Sequence, residues 1–355
     1  MLKHKFEKRL NNISSFIWSK IAKIDELKGR WVGGIDLNPQ ILGRLKKSVL
    51  ITSTGASTRI EGAKLSDEDI EKFLKGLSVQ KFSDRDKQEV KSYYELLENV
   101  FNSWSVIRFS ESSIKHFHKE LLKYVEKDKT HRGEYKKIEN KVQMINEAGR
   151  SVGVLFDTTP AYLTPKEMLE LVEWTKEELE KKTYHSLFVI GNFLVEFLNI
   201  HPFQDGNGRL SRILANLLLL KEGYLYMPYV SHEKLIEENK PAYYMALRKS
   251  QRTFKSKKED ISQWLDFFLN ILLEQSQAAI NLLSKENIET LLSGRQLSVW
   301  YFMISKKEEI TPIQMSEKLK IPRSTVNQIL NKLLSLKKIE RIGMGRAVRY
   351  RIINS

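Results

Sequence analysis

The chain has 355 residues, 41% hydrophobic and 29% charged, with a formal net charge of +15 and no cysteine. That length accommodates two or three domains, each with its own core; the hydrophobic share excludes a disordered chain, and no apolar run reaches the roughly 18 residues of a membrane span. Without thiols there can be no disulfide, thiol catalysis or cysteine-ligated zinc, and with no apolar core after Met1-Leu2-Lys3-His4-Lys5 a cytoplasmic protein is expected.

Apolar positions three and four apart predict helices over Lys3–Ala22, Asp67–Leu77, Gln88–Phe101 and Ile114–Val125. Ser57-Thr58-Arg59-Ile60-Glu61-Gly62 reads on its own as a helix end with Gly62 as C-terminal cap. Ser66, before Asp67-Glu68-Asp69, reads as an N-cap leading an acidic first turn. The helical period breaks over Lys141–Phe156, where Val142, Met144, Val152, Val154 and Phe156 alternate around Asn146-Glu147-Ala148-Gly149-Arg150. A β-hairpin is expected there, and Pro160 and Pro165 separate it from a helix starting near Lys166. Apolar helices over Thr183–Ile200 and Asn207–Leu220 flank a turn. Helices over Ile261–Gln275 and Ala278–Leu292 lead to a boundary at Ser293-Gly294-Arg295.

Residues 291–355 hold 13 Lys and Arg against 4 Asp and Glu, so +9 of the +15 lies in this tail. Helix Gln296–Ile304 precedes Thr311–Leu319, and Ile321-Pro322-Arg323-Ser324-Thr325 leads into helix Val326–Leu336, a pair that looks like a helix-turn-helix. Arg341–Ile352 reads as two strands around Gly343-Met344-Gly345, with arginines alternating outward. Residues 295–355 therefore resemble a winged helix. Arg323, Ser324, Thr325, Asn327 and Gln328 are expected to face a DNA groove, and Arg346, Arg349 and Arg351 to meet phosphates. A winged helix used only for protein contacts or dimerisation is the alternative, and a homodimer stays open.

The turn His201-Pro202-Phe203-Gln204-Asp205-Gly206-Asn207-Gly208-Arg209-Leu210-Ser211-Arg212 concentrates the chemistry. The first amides of the helix after Asp205 lack intrahelical acceptors, and with the positive end of the helix dipole they form an anion site that two glycines let a phosphate approach. Asp205 is placed to hold a divalent cation bridging phosphate oxygens. Arg209 and Arg212, three apart, share a helix face and can grip one polyphosphate. His201, with an ordinary pKa of about 6.5, can take a proton from an attacking hydroxyl. No kinase-type glycine-rich loop with its lysine and no GxxxxGK(S/T) occurs, which disfavours kinase and P-loop readings.

This segment resembles the signature of the Fic (Fic/Doc) family, HPFx(D/E)GNGRxxR, at every fixed position. The resemblance implies a mainly α-helical Fic core with a β-hairpin flap, and adenylylation: transfer of AMP from ATP to a Ser, Thr or Tyr hydroxyl of a target protein. It makes His201 the general base, Asp205 the Mg²⁺ ligand, Gly206 to Gly208 the phosphate cradle and Asn207 the residue that positions the α-phosphate. Arg209 would bind inner phosphates and Arg212 the γ-phosphate, with Leu210 and Ser211 in the same ATP-binding stretch. Ser57 to Gly62 resembles the inhibitory motif (S/T)xxxE(G/N), with Ser57 and Glu61 at its fixed positions, as in the class whose inhibitory helix is N-terminal. A carboxylate delivered to Arg212 would occupy the arginine meant for the γ-phosphate.

The hairpin matches the flap that holds a target segment as an added strand, so the target protein is expected on 141–156. Asn239-Lys240-Pro241-Ala242-Tyr243-Tyr244 resembles the NRxxYY segment near the adenine pocket, where Tyr243 or Tyr244 could stack on the base. Lys240 and Gln251 depart from the family pattern, which leaves UMP or another nucleotide-derived group open. Three regions follow: an N-terminal helical region with the inhibitory motif (1–105), the catalytic core (106–290) and the winged helix (295–355). Removal of AMP at the same site, or a DNA-binding regulator whose core senses nucleotide, are the competing functions.

Overall fold

In the computed structural model of the chain the described residues are 5–10, 13–34, 39–76, 84–145, 151–254, 256, 258–284, 292–306, 308–336, 338–343 and 348–353, with backbone alone for 84, 141–145, 151–157 and 284. The chain divides into two compact units, residues 1–35 with 42–283, and residues 36–41 with 284–355.

The first unit opens with one helical turn, α1 (Lys5–Lys8), followed by α2 (Ser15–Gly34), α3 (Pro39–Ile60), which enters this unit at Leu42, α4 (Asp67–Leu74), α5 (Asp84–Ser103) and α6 (Glu111–Leu121). An antiparallel hairpin, β1 (Lys141–Ile145) and β2 (Ser151–Asp157), pairs Lys141 with Asp157 and Ile145 with Ser151. Its expected tip, 146–150, lies outside the described residues. Helices α7 (Thr164–Lys181), α8 (Ser186–Ile200), α9 (Asn207–Lys221), α10 (His232–Glu238), α11 (Lys240–Gln251) and α12 (Ser262–Ser284) complete the unit. Among the described residues no helix is long and apolar enough to cross a membrane.

Every residue of α8 from Leu187 to Ile200 is buried. A helix buried on every side is satisfied only inside a bundle, where Asn192 and Glu196 of α8 are paired with Arg9, and α9, buried at all but Gly208 and Lys221, lies beside it. The turn between them is anchored at both ends in the core. Ser66 caps α4 as expected, in a capping box with Asp69.

Several helix ends are shifted by a few residues from the periodicity, as in α5, α6, α8 and the helix Arg323–Ser335, and two departures are larger. The expected helix Lys3–Ala22 is broken after Lys8 and resumes at Ser15. Tertiary anchors outweigh local propensity there: Phe6 is buried against Trp174, and Arg9 is drawn onto Glu196 at 2.6 Å and Glu259 at 2.5 Å. The expected break between Gln275 and Ala278 is absent, and α12 runs through to Ser284. Its polar interruption is buried and bonded instead, with Gln275 donating to the Val230 carbonyl at 2.7 Å and Ser276 to that of Leu272 at 2.6 Å.

In the second unit, α13 (Gly294–Lys306), α14 (Pro312–Leu319) and α15 (Arg323–Ser335) precede an antiparallel hairpin of β3 (Ile339–Ile342) and β4 (Arg349–Ile352). Val299, Met315, Val326, Leu330 and Leu333 form its core. Thr311 and Gln314 make a capping box at the start of α14, and Lys320 in the left-handed conformation turns the chain into α15. Arg323, Ser324, Asn327 and Gln328 are exposed and Thr325 is half-buried on α15, whereas Arg346 lies outside the described residues.

Candidate active site

Helix α8 ends because His201 takes a left-handed conformation, φ 51°, and its N–H closes on the Phe197 carbonyl at 3.0 Å. For a residue other than glycine that conformation costs on the order of 1–3 kcal/mol and persists where neighbours enforce it. Here the enforcement is visible. The Lys136 amide donates to the Pro202 carbonyl at 2.8 Å, and the Asn207 side chain clasps Phe203, accepting from its N–H at 2.9 Å and donating to its carbonyl at 2.8 Å. Gly206, φ 79°, then swings the chain into α9, whose first amides point at the space before it.

The His201 ring donates from Nδ1 to the Leu198 carbonyl at 3.4 Å, which leaves Nε2 without a proton. Burial pushes its pKa down to about 4, so the imidazole is neutral at physiological pH. Asp205 accepts from the Gly206 amide at 2.7 Å through Oδ1, while Oδ2 meets Arg85 at 3.0 Å and Arg209 at 3.2 Å. Burial works against its charge, but Arg209, the Gly206 amide and Arg85 outweigh it and hold the carboxyl below its ordinary pKa. Arg209 also pairs with Glu89 at 2.9 Å.

Buried Arg212 donates from Nε to Ser57 Oγ at 2.8 Å, and from Nη2 to the Ser57 carbonyl at 3.0 Å and to Glu61 Oε1 at 2.7 Å. Burial opposes its charge, and the Glu61 carboxylate more than restores it. A Cβ on Gly208 would collide with Glu61 Oε1. The Glu61 carboxylate therefore rests on the opening turn of α9, where an anion is favoured. Glu61, Arg85, His201, Asp205, Gly208 and Arg209 all line one cavity of about 420 Å³, within the range of ligand pockets.

Asp205 offers a single ionised carboxylate, and among the described residues no cluster of three or more His, Asp or Glu could cage a metal. Mg²⁺ is ordinarily held by one or two carboxylates completed by substrate phosphates and water. The residues present fit a cation that arrives with a nucleotide.

The remaining expected residues lie further in. Leu210 is fully buried in the core, and Ser211, Arg212 and Tyr243 line a small internal space, Arg212 not being among the residues that line the larger cavity. Tyr243 packs edge-on against Trp264 and Tyr244, and burial raises its pKa to about 12. Tyr244 donates to the Ile60 carbonyl at 3.4 Å and Lys240 to that of Arg59 at 3.3 Å. The segment thus grips the end of α3. Gln251 is buried near the end of α11.

Several contributors carry no local sequence signal. Arg85 and Glu89 come from α5. His118 on α6 stacks on Phe203 with ring centroids 3.8 Å apart, accepts from the Gly133 amide at 2.9 Å and donates from Nε2 to the Asp205 carbonyl at 3.1 Å. Burial pushes its pKa down to about 4 and keeps this arrangement neutral. Arg59 binds Glu237 through Nε at 2.5 Å and Nη2 at 3.0 Å, and Asp67 at 2.8 Å.

Residues 108–219 match the model of the Fic/DOC family. The chain is 30% identical over 128 residues to a probable protein adenylyltransferase of Aquifex aeolicus, a match that takes in 34% of this chain and 37% of that one. It is 33% identical over 114 residues to a Fido domain-containing protein of Dictyostelium discoideum, covering 31% of this chain and 74% of the relative. The chain thus spans little more than a third of the Aquifex protein's length and about three quarters of the Dictyostelium protein's. A solved Fic family protein from Desulfovibrio desulfuricans superposes with a TM-score of 0.64 over 97% of this chain and 98% of that one, at 23% identity, a likeness of fold.

Proposed function

This chain belongs to the Fic/DOC family, and on that premise we propose that it is a protein adenylyltransferase, moving AMP from ATP to a Ser, Thr or Tyr hydroxyl of a target protein and restrained by Glu61. The observation that carries this reading is the convergence of His201, Asp205, Arg209 and the start of α9 on one cavity. In the reaction, Nε2 of His201 takes the proton of the target hydroxyl, whose oxygen attacks the α-phosphorus. The bond from that phosphorus to the α–β bridging oxygen breaks, and pyrophosphate leaves. Asp205 would hold Mg²⁺, which supplies charge neutralisation at the phosphate oxygens. The amides of Gly206 to Gly208 receive phosphate oxygens, Asn207 fixes the turn that aims them, and Arg209 neutralises the inner phosphates.

Glu61 restrains the reaction by occupying Arg212, the partner of the γ-phosphate, at 2.7 Å. ATP bound beside it has its α-phosphate displaced from in-line attack, and a displacement of about 1 Å costs on the order of 10²-fold. The β1–β2 hairpin offers a strand edge for the target segment.

The second unit favours an added role in DNA binding as a winged helix. Its support is the exposed polar start of α15, with Arg323, Ser324, Asn327 and Gln328 outward, together with half-exposed Arg349 and Arg351 on β4.

Labelled ATP tests the enzymatic reading. Glu61→Gly protein transfers AMP to protein, and adding His201→Ala abolishes the transfer. Incorporation indifferent to His201 removes the assignment.

A further inference from the structure

Lys136 stands outside the signature, buried to 4% exposure. Its ammonium donates to three oxygens: Asn140 Oδ1 at 2.8 Å, Thr158 Oγ1 at 2.8 Å and the Ile200 carbonyl at 2.9 Å. Asn140 immediately precedes β1 and Thr158 immediately follows β2, so the two feet of the hairpin meet on this one nitrogen. Thr158 Oγ1 also reaches the Asn140 carbonyl at 2.7 Å, closing the feet on each other. Ile200 is the last residue of α8, directly before His201.

The same short segment holds the next carbonyls of the turn. The Lys136 amide takes that of Pro202 at 2.8 Å, and Asn140 Nδ2 takes that of Phe203 at 2.9 Å, with His201 at 3.4 Å. The left-handed conformation of His201 is therefore clamped from one side by residues that also fix the root of the hairpin. A catalytic group must be held within about 0.5 Å of its productive place by neighbours that are themselves locked.

We propose that Lys136 is a positioning residue that fastens the root of the β1–β2 hairpin to the backbone carrying His201, so that the edge receiving the target and the base receiving its proton keep one fixed geometry. Lys136 touches neither nucleotide nor target in this scheme. It acts through Asn140, Thr158 and the Ile200 carbonyl. The proposal rests on the adenylyltransferase reading for its kinetic consequence, though not for its structural one.

The test uses the full chain carrying Glu61→Gly, with Lys136→Met, Lys136→Arg and Asn140→Ala added singly. Two quantities are read: kcat and KM for AMP transfer to protein, and the imidazole ¹H–¹⁵N spectrum of His201. Lys136→Met keeps the aliphatic stem but loses all three donors. It is expected to lower kcat on the order of 10²-fold, as a misplaced base does, with KM for ATP changed less than about 3-fold, a small step on the affinity scale. The His201 spectrum is expected to pass from a single Nδ1–H tautomer to a tautomer mixture. Lys136→Arg retains a cation and is expected to recover part of both signals. If Lys136→Met does not fold, Lys136→Arg and Asn140→Ala carry the same comparison.

Unchanged kcat with an unchanged His201 spectrum in a folded variant overturns the proposal, as does a fall confined to thermal stability. Should Glu61→Gly protein transfer no AMP at all, the enzymatic reading fails separately. The tautomer signature of His201 still decides the role of Lys136.

Discussion

Oε1 of Glu61 lies 2.7 Å from Nη2 of Arg212, joining the end of α3 to the second turn of α9 across 151 residues of sequence. The contact places a carboxylate where a helix start and a buried guanidinium both favour an anion. It makes the cavity a site already holding a negative charge of the chain's own.

One consequence concerns ligand binding. With Glu61→Gly the seat on Arg212 and Gly208 is vacated, so ATP with Mg²⁺ is expected to raise the melting temperature of the variant by more than that of the unmodified chain, by linkage. Thermal unfolding with and without nucleotide measures this. Equal shifts in both proteins would mean that Glu61 does not compete for the phosphate seat.

A second concerns Arg59, two residues before Glu61, which ties the end of α3 to Glu237 and Asp67. Arg59→Ala keeps the restraining carboxylate but frees the helix that carries it. AMP transfer is expected to rise severalfold, less than with Glu61→Gly, since partly exposed pairs contribute about 1 kcal/mol or less. In the Glu61→Gly background the same change is expected to add nothing. An additive gain there would show that Arg59 acts on the site by another route.

Acid stability gives a third. Burial holds the pKa of His118 and His201 near 4 in the folded chain, and also lowers that of His232. The unfolded chain binds these protons near pH 6.5, so between pH 6.5 and 4 the unfolded state carries more protons. Stability is therefore fully present above pH 6.5 and falls as pH drops toward 4. Urea unfolding at pH 7.5, 5.5 and 4.5 checks the sign. His118→Phe keeps the stack on Phe203 and is expected to flatten part of that slope, while lowering AMP transfer through loss of the bond to the Asp205 carbonyl.

For the second unit, DNA affinity is expected to fall steeply with salt, with log K linear in log salt concentration. Arg323→Ala is expected to cost about 1–3 kcal/mol if the residue reads a base. Titration of labelled duplex DNA at several salt concentrations decides, and no binding at low salt would end this reading.

The turn from His201 to Arg212 was legible because its residues are contiguous and each type has a narrow chemical use. The hairpin was legible through its alternation. What the sequence could not disclose is pairing over distance. Arg85 reaches Asp205 across 120 residues, and Lys136 reaches Ile200 across 64. Neither side chain is unusual in its local setting. The uninterrupted helix α12 escaped for a related reason: Gln275 and Ser276 look like a break until their partners at Val230 and Tyr226 are in view. Arg9 likewise ends α1 through carboxylates contributed by distant Glu196 and Glu259.

The most direct measurement is the rate of AMP transfer from labelled ATP to protein by the Glu61→Gly chain beside the unmodified chain, with Mg²⁺ in excess. A restraining carboxylate on Arg212 leads to an increase on the order of 10²-fold, the scale of a misplaced reacting phosphate. Equal rates from two folded proteins would contradict it.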